Sequence, residues 1–160
     1  ERSWHDLKII IEEGRVHELG RKDQHQQRMR EHSLWVKDNY FTLRDYILSV
    51  FFDFPVLDID ADNLEASNNI NSKKKKRVIV PDNVEQRIVF RPNDFPYNCQ
   101  DDITHYVLWC LLPLSMDEVR QYLQHHHSLG EYSERYVCFQ NPVYLQSIKD
   151  VFHYHVFVRA

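Results

Sequence analysis

Residues 91–112 read Arg91-Pro92-Asn93-Asp94-Phe95-Pro96-Tyr97-Asn98-Cys99-Gln100-Asp101-Asp102-Ile103-Thr104-His105-Tyr106-Val107-Leu108-Trp109-Cys110-Leu111-Leu112, a polar turn that runs directly into the most apolar segment of the chain. Pro92 and Pro96 each fix a φ angle and push the residue before them towards extended backbone, so Asn93, Asp94 and Tyr97 are presented on a stiff loop. From Ile103 the side chains alternate. Ile103, His105, Val107, Trp109 and Leu111 share one face, and Thr104, Tyr106, Leu108 and Cys110 the other, the pattern of a strand buried on both sides. His105 thereby lies among apolar residues, next to a loop of carboxylate and amide groups. That juxtaposition marks a candidate site.

Working outward, Gln86–Arg91 is expected as a strand leading into the turn. Beyond the main strand, Ser115 and Glu118 have capping-box spacing, and Met116, Val119, Tyr122 and Leu123 form the apolar side of a helix ending near His126. Tyr136–Phe139 follows as a strand, and Asn141-Pro142 opens a short turn or helical segment reaching Ser147. Val151–Val158 is the last strand, with Val151, His153, His155 and Phe157 on one side. Three helices precede all of this. Ser3 and Asp6 cap the first, whose apolar face is Trp4, Leu7, Ile10 and Ile11 and which Gly14 ends. The second is expected over 23–40 with Met29, Leu34, Trp35 and Val36 facing inward. Thr42 and Asp45 start the third, with Leu43, Tyr46, Ile47, Val50 and Phe51 buried, and Pro55 stops it. The expected class is α+β, with N-terminal helices packed on a small mixed or antiparallel β-sheet in β-β-α-β-β order.

A chain of 160 residues suits a single domain over 1–160. Aromatic residues make up 13% against only 3 glycines, which excludes a disordered or low-complexity chain. From about 56 to 85 the character changes. Asp58, Asp60, Asp62 and Asn63 lead into an asparagine- and serine-rich run and then Lys73-Lys74-Lys75-Lys76-Arg77. This is expected as an insertion loop, mobile and dispensable for folding, whose basic run serves as a solvated surface, a nuclear-import signal or an anion patch. The Asp58, Asp60 and Asp62 spacing lacks the glycine and closing glutamate of a calcium loop. A net charge of −4 argues against a general nucleic-acid surface. Cys99, Cys110 and Cys138 form no C-x-x-C pair and, being odd in number, cannot close a complete disulfide framework, which fits a reducing compartment. No apolar run reaches the ~20 residues that cross a bilayer, and no charged-then-apolar signal opens the sequence. The expected location is cytoplasmic or nuclear, without a membrane.

His153 and His155 stand two apart on a strand, so both rings leave the same face, and His105 joins them if the last strand lies beside the central one. Three imidazoles on neighbouring strands can build a catalytic zinc site. The same geometry serves a phosphate clamp or a general base, with Arg91 or Arg159 supplying charge, and hydrogen-bonded structural histidines answer equally to the pattern. Asn93 and Asp94 suit ligand hydroxyls or Asx-turn bonds alike. Tyr97 and Trp109 fit packing, with Tyr97 also placed to touch a ligand. His125-His126-His127 closes a helix, where the dipole favours cations, and is read as surface. The ligand-binding candidates are therefore Arg91, Asn93, Asp94, Tyr97, His105, Asn141, His153 and His155, with His105, His153 and His155 as the catalytic or metal candidates.

Trp4-x-x-Leu7, Leu19-x-Arg21, Asn93-Asp94-Phe95-Pro96-Tyr97, His105-Tyr106-Val107-Leu108-Trp109, Phe139-x-Asn141-Pro142 and His153-x-His155-Val156 together resemble a fungal and protist domain-of-unknown-function family whose named members are N-acetylglucosamine-induced proteins. The resemblance spans nearly the whole chain outside residues 56–85. It implies a small intracellular protein of amino-sugar response, and it supports treating the central turn and the histidines as one site. The last strand is also similar in part to the histidine-triad nucleotide hydrolases, but Phe157 occupies the third histidine's place. Two readings follow. One is a protein that binds a small phosphorylated or sugar-like metabolite, with or without hydrolase or transferase activity and with a divalent metal such as zinc as a candidate cofactor. The other is a non-enzymatic interaction protein that docks a macromolecular partner through the basic loop and exposed aromatics.

Overall fold

The computed structural model describes residues 1–60, 74–142, 146 and 151–160. The helices are α1 (Trp4–Glu12), α2 (Asp23–Asn39), α3 (Leu43–Val50) and α4 (Met116–His127); the strands are β1 (Val56–Asp60), β2 (Lys74–Val78), β3 (Ile88–Pro92), β4 (Ile103–Cys110), β5 (Tyr136–Phe139) and β6 (Phe152–Arg159). All strand pairing is antiparallel, so the α+β class holds. Contacts gather the chain into two compact units, residues 1–26 with 86–160, and residues 27–85. The helical segment expected between Asn141 and Ser147 lies largely outside the described residues, as do Asp62, Asn63, Lys73 and the asparagine-rich run.

In the first unit the sheet order is β3-β4-β6-β5. β4 and β6 pair along their whole length, from Ile103 opposite Arg159 to Cys110 opposite Phe152. Each sheet face has its own helix. Trp4, Leu7 and Ile10 of α1 pack with Ile103, Val137, Phe139 and Phe157. On the other face Val119 and Leu123 of α4 pack with Leu108, Cys110, Tyr136, Cys138, Tyr154 and Val156. This explains why β4 is apolar on both sides from Val107 to Cys110, where both faces are buried and each such side chain stabilises by about 1.5–3 kcal/mol, while Thr104 at the strand's start is exposed. Both helices start at complete capping boxes, Ser3 with Asp6 and Ser115 with Glu118. The Tyr154 hydroxyl donates to the Leu114 carbonyl at 2.5 Å and accepts the Leu114 N–H at 2.9 Å, which ties β6 to the start of α4.

Within the stretch 56–85 expected as an insertion loop, the described residues of the second unit include two strands. Lys74–Val78 is a strand, paired with Val56–Asp60 so that Asp58 faces Lys76 and Asp60 faces Lys74. Opposite charges across the ladder take the place of the apolar alternation that sequence reading looks for. The strand is also tied to the helices. Phe41 donates its N–H to the Lys76 carbonyl at 3.0 Å, the Arg77 guanidinium carbon lies 4.5 Å from the Phe41 ring centroid, and the Lys76 ammonium lies 5.7 Å from that of Tyr40. Buried Asp45 accepts the Val78 N–H at 2.9 Å and the Thr42 hydroxyl at 2.5 Å, while Thr42 caps α3 through the Asp45 N–H. Within α2 the inward stripe runs through Met29, His32, Val36 and then Tyr40, rather than through Leu34 and Trp35, which are 63% and 50% exposed. At 100° per residue Leu34 falls opposite Val36. Trp35 lies at the margin and meets the edge of Tyr46, a ring also touched by His32, Tyr40 and Phe51. In α3, Tyr46 and Ile47 are buried as expected, but Leu48 is buried as well and Val50 is exposed.

Trp109 is buried on β4 against His153. Trp109→Ala should cost about 3–5 kcal/mol in urea unfolding, through lost burial and a residual cavity. Asp45→Ala should cost about 2–4 kcal/mol, since it removes a helix cap contact and leaves the buried Val78 N–H without its acceptor. A wild-type unfolding midpoint for Asp45→Ala would show that the basic strand is not anchored through this carboxylate.

Candidate functional site

Pairing of β4 with β6 sets Phe157 opposite His105, His155 opposite Val107 and His153 opposite Trp109. His105 and His155 are thus diagonal neighbours on one sheet face. Their rings meet directly, with His105 Nε2 at 2.9 Å from His155 Nδ1. The loop between the prolines then folds back over the strand. The Tyr97 backbone N–H donates to His105 Nδ1 at 3.0 Å, and the Asn141 side-chain amide lies 3.2 Å from His155 Nε2.

These contacts fix where the protons sit. A backbone N–H only donates, so His105 Nδ1 must be the acceptor and the neutral ring carries its proton on Nε2. That proton goes to His155 Nδ1, which places the His155 proton on Nε2. The atom of Asn141 placed against the ring is Nδ2, and the proton order requires the amide oxygen in that place, the two ends of a primary amide being interchangeable in position. The opposite assignment leaves His105 with no proton at all, an anion that a buried imidazole does not become. The result is a one-way chain: Tyr97 N–H to His105, His105 to His155, and His155 Nε2–H to Asn141.

Aromatic rings enclose the pair. Phe157 stacks on His105 with centroids 4.3 Å apart, Phe139 on His155 at 5.0 Å, and Tyr97 lies against both at 4.7 and 5.4 Å. Arg21 completes the group. Its guanidinium carbon is 4.9 Å from the Tyr97 ring centroid, and its Nε donates to the Phe95 carbonyl at 2.6 Å. Burial lowers its pKa, and among the described residues it pairs with no carboxylate. Desolvation pushes His105 well below the ordinary histidine range, with His155 and Arg21 adding to the effect. Burial likewise brings His155 down to about 3, assisted by His153 and Arg21. Both rings are neutral donors at physiological pH.

His153 is on the same face but outside the chain. Its Nδ1–H points to the Val151 carbonyl at 3.4 Å, its ring lies 4.8 Å from that of Trp109, and it meets His155 edge-on at 5.7 Å. This tautomer leaves the lone pair on His153 Nε2, so of the three rings His153 is the one able to accept a proton. Both nitrogens of His105 and of His155 are spent in the chain. The three rings do not direct lone pairs at one point, as a three-imidazole metal site requires, and among the described residues no group of three or more His, Cys, Asp or Glu is placed to hold a metal ion. Asn93 and Asp94 are engaged in the turn. Asn93 Oδ1 accepts the Phe95 N–H at 2.8 Å, an Asx turn, and Asp94 pairs with Arg91 at 3.3 Å on the surface. Of the ligand candidates, the structure brings together Tyr97, His105, Asn141, His155 and, at one side, His153. Arg21 was not among them, although the Leu19-x-Arg21 element carries it.

A family described as "Protein of unknown function (DUF3605)" matches residues 3–159. The chain belongs to this family. It is 24% identical over 179 residues to N-acetylglucosamine-induced protein 1 of Candida albicans, covering 98% of this chain and 68% of that protein. The resemblance drawn from the motifs is borne out. The crystal structure of HTC1 has the same fold, with a TM-score of 0.66 at 23% identity over 100% of this chain and 86% of that one. The motifs of the resemblance thus map onto the parts of the chain just described, the proline-bounded turn, β4, Asn141 and β6. Among the described residues no helix is long and apolar enough to cross a membrane.

A histidine held neutral by burial makes the fold acid-sensitive. As pH falls below the ordinary value of 6.5 towards the folded value of about 3, the unfolded chain takes up a proton that the folded one refuses, so stability is complete above that window and is lost through it. His155→Gln should flatten the acid limb of a plot of unfolding free energy against pH by up to about 1.4 kcal/mol per pH unit. An unchanged limb would show that His155 is already protonated in the folded state.

Proposed function

We propose that this protein binds a small phosphorylated or sugar-like metabolite at the Asn141 end of the histidine chain. The observation that carries this reading is the polarity of that chain. The protons of both rings run towards Asn141, whose oxygen takes the His155 Nε2–H, so the end of the chain offers the Asn141 NH2 as a donor to an oxygen acceptor. Arg21, stacked on the Tyr97 ring that covers both imidazoles, has no carboxylate partner among the described residues and gives the surroundings positive potential. Donors together with an unmatched cation suit hydroxyl, acetamido or phosphoryl oxygens, and disfavour a cation as ligand. If the site carries out a reaction, His153 Nε2 is the ring nitrogen outside the chain that can take the proton, as a base weakened by burial. The name of the Candida relative makes N-acetylglucosamine and its 6-phosphate the first ligands to test.

Thermal unfolding with N-acetylglucosamine, N-acetylglucosamine 6-phosphate, glucose 6-phosphate and inorganic phosphate tests the reading. A bound ligand at 100 times its dissociation constant should stabilise by roughly 2.7 kcal/mol. Asn141→Ala and Arg21→Met should abolish the shift while retaining cooperative unfolding. No shift with any of the four, or a shift that survives both substitutions, would sink the proposal.

A further inference from the structure

The two-stranded sheet of the second unit has one side turned outward. The Ile79 N–H donates to the Pro55 carbonyl at 2.8 Å, which continues a register that sets Leu57 opposite Arg77 and Ile59 opposite Lys75. Residues opposite each other across the ladder share a side of the sheet, and successive residues take opposite sides. One side therefore carries Val56, Asp58 and Asp60 beside Val78, Lys76 and Lys74. The other carries Pro55, Leu57 and Ile59 beside Ile79, Arg77 and Lys75. The first is turned inward at its Val78 end, where Val78 is buried and the Lys76 ammonium sits over the ring of buried Tyr40. On the second, Leu57 is 54% and Ile79 46% exposed, and Arg77 is exposed beside them.

The outward side sorts its chemistry by row. Its β1 row is apolar throughout, its β2 row holds both cations, and Asp58 and Asp60 stand on the inward side. Neighbouring strands lie about 4.8 Å apart, so Leu57 and Ile59 run directly alongside Arg77 and Lys75. The Arg77 guanidinium carbon is 4.5 Å from the Phe41 ring centroid, and neither Arg77 nor Lys75 forms an ion pair among the described residues. An apolar row on a two-stranded sheet is stabilised by a further layer packed against it. That layer must bring apolar side chains to β1 and carboxylates to β2. A nucleic acid supplies only the negative charge. Phe41, the ring beside these cations, already lies under Arg77 and offers bases no stacking surface, and a chain of net charge −4 repels a polyanion.

We propose that this side of the sheet receives an amphipathic helix of a partner protein. The helix lays its apolar stripe on Leu57, Ile59 and Ile79, and a border of glutamates or aspartates meets Lys75 and Arg77. Residues three or four apart on a helix stand about 5–6 Å from each other, near the roughly 6.7 Å that separates alternate residues of a strand, so two carboxylates reach both cations. This goes beyond the metabolite reading, lies wholly in the second unit and uses none of the residues of the histidine chain. It narrows the basic stretch noted in the sequence to two cations and the apolar row beside them.

Fluorescence anisotropy tests this with a labelled helix-forming peptide whose leucines follow i, i+3, i+4, i+7 spacing and whose glutamates border them on one side. Versions with lysine for glutamate and with serine for leucine are compared. Saturable binding of the first peptide alone is expected, weakened about fivefold or more by Arg77→Glu and by Leu57→Ser and retained by Arg77→Lys. Leu57 is exposed, so Leu57→Ser should keep the urea midpoint and separate loss of the surface from loss of the fold. Absence of saturable binding by the acidic amphipathic peptide overturns the proposal, as does unaltered binding to both weakened variants. Equal binding of the serine version, or tighter binding of oligothymidylate or of phosphatidylserine vesicles than of the peptide, marks a general anion surface and overturns it too.

Discussion

The Tyr97 N–H to His105 Nδ1 hydrogen bond is the constraint from which the chemistry of the first unit follows. A side-chain donor in that place would let the histidine pair exchange tautomers and reverse direction. A backbone N–H cannot. The proline-bounded turn brings that N–H to its position, and Asn93 and Asp94 serve by holding the turn closed through the Phe95 N–H and the Arg91 guanidinium. The polar residues of the turn are thus one step removed from the site they had been expected to line. Their contribution is to direct a proton chain.

The sheet supplies the second half of the arrangement. Covering both faces, α1 on one and α4 on the other, makes β4 and β6 an environment where a charged imidazole is costly, and the depressed pKa values of His105 and His155 follow from that burial. Neutral rings stack flat against Phe139, Phe157 and Tyr97 without a desolvated charge to compensate. Burial and tautomer therefore support each other, because the state that the core favours is also the one that the Tyr97 N–H selects.

Much of this was legible in the residues. The alternation from Ile103 to Cys110, both capping boxes, β5 to the residue, and the same-face placement of His153 and His155 come from period, propensity and cap chemistry, which act locally. What stayed hidden depends on distant partners. Arg21 reaches the site through a carbonyl 74 residues away in the chain, a contact that no spacing rule anticipates. The Lys74–Val78 strand was read as a solvated loop because its ladder is matched by aspartates across the pair and by Asp45 on a helix, not by apolar alternation. In α2 the polar-looking His32 and the terminal Tyr40 belong to the buried side, whereas the more apolar Leu34 points outward. Hydropathy ranked them in the wrong order because ring contacts with Tyr46 and Trp35 decide the packing.

Two buried histidines also discriminate between alternative sheets. A one-residue slip of β6 against β4 would carry His153 and His155 to the α4 face, among Leu108, Val119 and Leu123, where an unpartnered imidazole N–H costs on the order of 1–3 kcal/mol. The native register satisfies the rings of His105 and His155 fully, so the chain that points to Asn141 also pins the two central strands. The structural role and the proposed binding role are then one arrangement viewed from its two ends. The His105 end is closed by a backbone amide and is fit only to hold the sheet. The His155 end closes on the Asn141 side-chain amide, whose oxygen accepts the His155 proton and whose NH2 is the group that the proposed ligand would meet.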